Sequence, residues 1–187
     1  MKRAGLVQLS MGVETGNGEM LERIGKKTTL DAYRRAFRLA KEFGIETRGS
    51  FIIGLPYETR KTIRETIDFA KNLDLDAAFF NIATPYPGSV LYDMAMKGDG
   101  IRAVTNNWKE YMRWGNAVVE VGDISREELI GWQKRAMLEF YLRPKIIFHH
   151  MVYLVRARQF MLGYAPNIFE FMVSLVNVIR TAGKEKQ

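Results

Sequence analysis

The 187-residue chain contains no cysteine. That absence excludes disulfides, thiolate metal sites, a cysteine nucleophile and any iron-sulfur cluster held by the chain's own thiolates. Histidine is nearly absent too: His149 and His150 are the only two. Adjacent side chains on a helix diverge by about 100°, so this pair does not form a metal site of the i, i+4 kind. Apolar runs are short. None approaches the roughly 18 residues needed to span a bilayer, and the stretch from Ile168 to Ile179 is interrupted by Glu170 and Asn177. The opening Met1-Lys2-Arg3-Ala4-Gly5 leads into a strand-like segment without the apolar region of a signal peptide, which makes a cytoplasmic location the expectation.

With 47% hydrophobic and 26% charged residues, what is present suffices for one domain with a sizeable core, or a core with an appendage. The net charge is +7, and it is unevenly placed: residues 125–187 hold 10 of the 28 basic and 5 of the 21 acidic side chains. Such a basic end fits either a solvated helix face or contact with phosphate, a membrane surface or an acidic substrate.

The first hundred residues repeat a short apolar run, a turn and a helical pattern. Leu6 to Met11 reads as a buried strand, followed by a Gly-rich turn and a short helix from Glu19 to Ile24. Thr29 caps a helix predicted from Leu30 to Phe43, whose Tyr33, Ala36, Phe37, Ala40 and Phe43 share a face, with Gly44 ending it. Arg48 to Ile53 and Ala77 to Ala83 read as the second and third strands; helices are predicted from Thr59 and over Val90 to Met96. Three strand-helix units imply a right-handed, parallel arrangement with the strands adjacent and in sequence order, and with Glu14, Gly54 and Thr84 at one end. The expected fold class is therefore α/β, a partial βα barrel over residues 1–100. An aromatic linker follows over 101–124, with a short strand near Ala117 to Val121, and a basic α-helical extension spans 125–187. In that extension Ser125 and Glu128 form a capping box, Pro144 breaks the long helix, a further helix runs to about Leu162, and Asn167 caps a last one ending near Arg180.

Ligands of parallel α/β folds meet the carboxyl ends of the strands. After the first strand, Glu14 could accept hydrogen bonds from a ligand or cap the next helix; after the second, Glu58 and Thr59 suit ordinary helix capping. Asn81 and Thr84 are the polar residues at the end of the third.

In this order, Gly12-Val13-Glu14-Thr15-Gly16, Phe51-Ile52-Ile53-Gly54-Leu55-Pro56-Tyr57-Glu58-Thr59 and Ala83-Thr84-Pro85-Tyr86-Pro87-Gly88-Ser89, with Gly25-Lys26-Lys27-Thr28-Thr29 between, resemble the second half of a radical S-adenosylmethionine (radical SAM) enzyme. The resemblance covers about residues 5 to 97 and is nearest to the cobalamin-associated branch. It implies that these strands are the fourth, fifth and sixth of a six-stranded partial barrel. By the same resemblance, Glu14 and Thr15 match the position that contacts the ribose or methionine part of SAM. Phe51, Ile52 and Gly54 match the strand backing the adenine, and Asn81, Ile82 and Ala83 the strand flanking it. Tyr57 departs from the pattern, standing where relatives often have Gly. The three-cysteine cluster loop and the glycine-rich segment for the SAM amino group are missing. The resemblance thus implies a C-terminal portion whose missing half-barrel, supplied in cis or in trans, brings the 4Fe-4S cluster and, in that branch, cobalamin. A small, lipophilic substrate is expected, and nucleic acid is not. The alternative is a noncatalytic binding module or degenerate paralogue, associated with a membrane surface through an apolar and cationic face between Phe140 and Arg180.

Overall fold

The computed structural model describes residues 1–111 and 115–157. It divides into a compact unit, Met1–Leu142, and a second unit that starts at Arg143. The first unit is built on three parallel strands in sequence order: β1 (Gln8–Glu14), β2 (Glu46–Ile53) and β3 (Ala77–Ile82). Helices α1 (Gly18–Arg23), α2 (Leu30–Glu42), α3 (Arg60–Asn72) and α4 (Val90–Lys97) occupy the connections. The chain is thus α/β, with the parallel order expected of a partial radical SAM barrel.

Alternation along β2 and β3 decides where the core lies. Phe51 and Ile53 of β2 and Phe80 of β3 are fully buried, and so are Phe37 of α2, Ile63 and Ile67 of α3, and Leu129 and Phe140 further along. Phe51 stacks on Phe80 at 5.2 Å, and Phe140 meets the edge of Phe80 at 6.3 Å. Each such side chain removed from water contributes about 1.5–3 kcal/mol, so this helix-covered face is the main stabiliser of the sheet.

The first strand differs from its predicted span. It begins at Gln8 and continues through Gly12 to Glu14, because parallel pairing with β2 starts at Gln8↔Glu46 and is carried past a bulge to Glu14↔Phe51. As an edge strand it buries fully only Val13. Phe43, assigned on periodicity to the core face of α2, is exposed, since it is the residue at which the helix has ended and the chain turns through Gly44.

A short antiparallel ribbon joins β4 (Arg102–Ala103) and β5 (Val119–Glu120), so the linker strand is shorter than Ala117 to Val121. Helix α5 (Arg126–Tyr141) follows. The sequence pattern groups it with the basic helical extension over 125–187. It belongs instead to the first compact unit, where it seals the outer edge of β3: the Tyr141 hydroxyl donates to the Ala78 carbonyl at 2.9 Å and accepts from the Ala78 amide at 3.2 Å, while Gln133 Nε2 donates to the Phe80 carbonyl at 2.8 Å. Ser125 caps α5 by accepting from the Glu128 amide, but the reciprocal half of the expected capping box is absent. The Glu128 carboxylate is taken by Arg60 at 2.6 Å. The reciprocal box occurs at α3 instead, between Thr59 and Thr62.

In the second unit, α6 (Pro144–Ala157) opens at the proline expected to break the preceding helix. Proline is tolerated in a first helical turn, where its missing N–H costs nothing. The predicted helix end at Leu162, the Asn167 cap, the last helix and most of the Phe140 to Arg180 face lie outside the described residues. Among the described residues, no helix is long and apolar enough to cross a membrane.

Candidate functional site

The face of the sheet opposite the helices is the one available to a ligand. Register places Ser10, Arg48 and Ala77 in one row, Gly12, Ser50 and Phe79 in the next, and Ile52 beside Asn81 in the last. Towards the carboxyl ends the polar groups converge. Asn81 Nδ2 donates to Ser50 Oγ at 3.2 Å, whereas Asn81 Oδ1 is buried and receives no hydrogen bond. A buried amide oxygen left without a donor is costly and is the exception in native proteins. Beside it Ile52 offers apolar surface.

Glu14 reaches the same face by folding back. Its backbone sits at φ +69° beyond the bulge, and a Cβ on Gly12 would stand 2.4 Å from Glu14 Oε1. A side chain at residue 12 would displace that carboxylate from this place. Lys26 Nζ pairs with Glu14 Oε1 at 3.0 Å and donates to the Gly12 carbonyl, which also accepts from the Tyr33 hydroxyl at 2.9 Å. Glu14 does not cap the following helix; Asn17 does, accepting from the Met20 amide. Thr15 is fully buried, with its hydroxyl 3.1 Å from that of Thr66 on α3 and accepting from the Asn17 amide.

The structure therefore brings Glu14, Ile52 and Asn81 together on the open face. Phe51 and Ile82 turn to the helix-covered face. Gly54 follows β2 at φ +85°, and Ala83 extends the ladder by donating its amide to the Ile53 carbonyl at 2.8 Å.

Glu58, read on sequence as an ordinary capping residue, is 3% exposed and clamps the turn after β2: Oε2 accepts from the Gly54 amide at 2.6 Å and the Leu55 amide at 3.1 Å. Oε1 is buried without a partner. Burial pushes this carboxyl up to about 7 against the opposing pull of the two amides. The signal for the clamp was local, a carboxylate three and four residues after the amides it accepts from. No local signal announced Tyr141 or Gln133, which act across more than fifty residues of sequence. Burial also raises the Tyr141 phenol to about 12, partly offset by its bond to Ala78, which keeps it a donor. Among the described residues, no group of three His, Asp or Glu side chains is placed to hold a metal ion.

The radical SAM superfamily model matches residues 1–70, from the start of the chain to the last turn of α3. This chain belongs to the radical SAM superfamily. An uncharacterized methyltransferase of Pyrococcus horikoshii is 38% identical over 160 residues, which is 83% of this chain and 34% of that protein. An anaerobic magnesium-protoporphyrin IX monomethyl ester cyclase of Rubrivivax gelatinosus is 37% identical over 91 residues, covering 49% of this chain and 16% of the cyclase. A putative methylthiotransferase of Methanocaldococcus jannaschii is 35% identical over 85 residues, or 46% and 19% of the two chains. The chain thus spans about a third or less of the length of these radical SAM relatives.

Proposed function

We propose that this chain forms the C-terminal part of a radical SAM catalytic barrel, completing the SAM pocket and contributing to substrate binding. The observation that carries the proposal is the convergence of Asn81, Ile52 and Glu14 at the carboxyl end of the open face, with Asn81 Oδ1 buried and lacking a donor. These residues fit SAM: Ile52 suits the flat face of a purine, Asn81 Oδ1 can accept from an amino or hydroxyl group, and Glu14 can meet an ammonium or ribose hydroxyl. They do not fit an iron-sulfur cluster, since the chain has no thiolate. The cluster belongs to a preceding segment, in cis or in trans. SAM supplies the transferable methyl group or the hydrogen-abstracting capacity of such enzymes; the work of this chain is to bind it, orient it and exclude water.

The preceding half-barrel would dock at the β1 side, because α5 already occupies the outer edge of β3. The relatives support methyl transfer or ring closure as the reaction class. The motif resemblance alone supports cobalamin as a second cofactor of the complete protein and a small lipophilic substrate. The test is anaerobic reconstitution with a cysteine-bearing half-barrel. The cluster-loaded pair should release 5′-deoxyadenosine where this chain alone does not, and Asn81→Leu should weaken SAM binding about tenfold, the worth of one hydrogen bond at a desolvated site. A cluster-loaded pair that leaves SAM intact overturns the proposal.

A further inference from the structure

In the turn after β2, the residue following Pro56 is held in a backbone region that glycine favours. Tyr57 has φ +62°, one of two described non-glycine residues with positive φ. A bulky side chain pays for that conformation and persists there only when its surroundings over-determine it. Here they do, and from three directions. The Tyr57 hydroxyl donates to the Asp99 carboxylate, its amide donates to the Gly100 carbonyl at 3.0 Å, and the Arg23 guanidinium sits over its ring, 5.3 Å from the centroid. The ring lies so close to Gly100 that a Cβ there would stand 2.8 Å from three of its carbons, and Gly100 itself is at φ +71°.

The partners come from different parts of the chain. Arg23 ends α1 in the connection after β1, Tyr57 belongs to the turn after β2, and Asp99 and Gly100 follow α4 in the connection after β3. All three connections leave the same end of the parallel sheet, the end that carries Asn81 and Glu14. Glu58, the next residue, clamps the turn from inside, so the Tyr57 side chain is directed outward along the rim, where it is 48% exposed. Burial alone does not account for its retention.

We propose that Tyr57 is a positioning residue, a latch that joins the connections after β1, β2 and β3 so that the ligand-facing rim is set as one unit. What the rim positions rests on the SAM reading above; the latch does not. Glycine at this position would relax the backbone and keep the amide bond to Gly100, but it would lose both side-chain links, to Arg23 and to Asp99. Both faces of the bargain are present in this sequence: a side chain at Tyr57 and none at Gly100.

Hydrogen exchange of the whole chain, followed by mass spectrometry, tests the latch without SAM. Asp99→Ala should speed exchange about tenfold in residues 98–103 and also in residues 20–25, because in the native state local opening reports the lost cross-link. Among the described residues, no hydrogen bond or ion pair joins Asp99 directly to residues 20–25; the link runs through Tyr57. Tyr57→Gly should give the same two-segment response while the global unfolding midpoint stays close to that of the unaltered chain. Asp99→Asn, which keeps an oxygen acceptor for the phenol, should restore slow exchange in both segments. A response confined to residues 98–103 overturns the latch, leaving Tyr57 a local pin; so does equal loss of protection with Asp99→Asn. Because no SAM is involved, this result and the 5′-deoxyadenosine assay can fail separately.

Discussion

Replacing Glu58 by glutamine should abolish a stability change that the unaltered chain shows between about pH 5 and pH 8. The carboxyl is buried, its Oε2 takes two amide hydrogen bonds, and its Oε1 takes none. Its pKa rises from an ordinary 4.5 to about 7 because burial disfavours the charged form. In that window the folded state holds a proton that the unfolded state has released, so unfolding free energy falls as pH rises. At 1.36 kcal/mol per pH unit, a rise from 4.5 to about 7 corresponds to about 3 kcal/mol, fully present below pH 4.5 and lost by the time pH passes 7. Glu58→Gln keeps an oxygen for the Gly54 and Leu55 amides but carries no titrating proton. Urea unfolding by circular dichroism at half-unit steps from pH 5 to 8 reads the difference between the two proteins, in which every other titrating group cancels. Glu58→Gln should be equal or slightly less stable at pH 5 and gain on the unaltered chain by about 2–3 kcal/mol by pH 8. A difference that stays constant across the range refutes the reasoning.

Tyr141→Phe removes the one hydroxyl that serves both backbone groups of Ala78, and should cost about 1–3 kcal/mol in urea unfolding, since two buried edge groups lose their partner. Thr15→Val should cost a similar amount at constant volume, because the Thr66 hydroxyl and the Asn17 amide lose their bonds to Thr15. Gly16→Ala should destabilise more than an exposed glycine replacement such as Gly18→Ala, since its Cβ would stand 2.7 Å from the Glu65 carbonyl oxygen and from Thr66 Cα in the backbone of α3, while nothing lies within 4 Å at Gly18; thermal unfolding of the pair compares them. The isolated chain should show no iron-dependent absorbance after reconstitution, as it offers no thiolate; a stable cluster spectrum would contradict this.

Much of the fold was legible in the sequence because the signals were local. The Thr29 and Thr59 caps, the stripe of Ile63 and Ile67, the glycine after α2 and the apolar runs that became β2 and β3 depend on residues within a turn or two of one another. The parallel order followed from the handedness of short crossovers, which leaves successive strands side by side with like ends together. The motifs after the strands carried the family by their order. The absence of cysteine by itself determined that no cluster is ligated by this chain.

What only the tertiary structure decided were matters of face, register and distant partners. The bulge between Gly12 and Glu14 carried β1 further than its apolar run and swung the Glu14 carboxylate over Gly12 to meet Lys26. Alternation in the strand sent Phe51 to the core and Ile52 to the open face, although both sit in one motif. Thr15 adjoins Glu14 yet points into α3, and Glu128 left its capping box for an arginine 68 residues away. A side chain with two partners within reach takes the one whose geometry the packed structure makes better, and sequence spacing records only the partner on its own element. The sealing of the β3 edge by Tyr141 and Gln133 exists because α5 is laid along that strand, and Arg23, Tyr57 and Asp99 meet because three connections leave a single sheet end; both juxtapositions are properties of the fold.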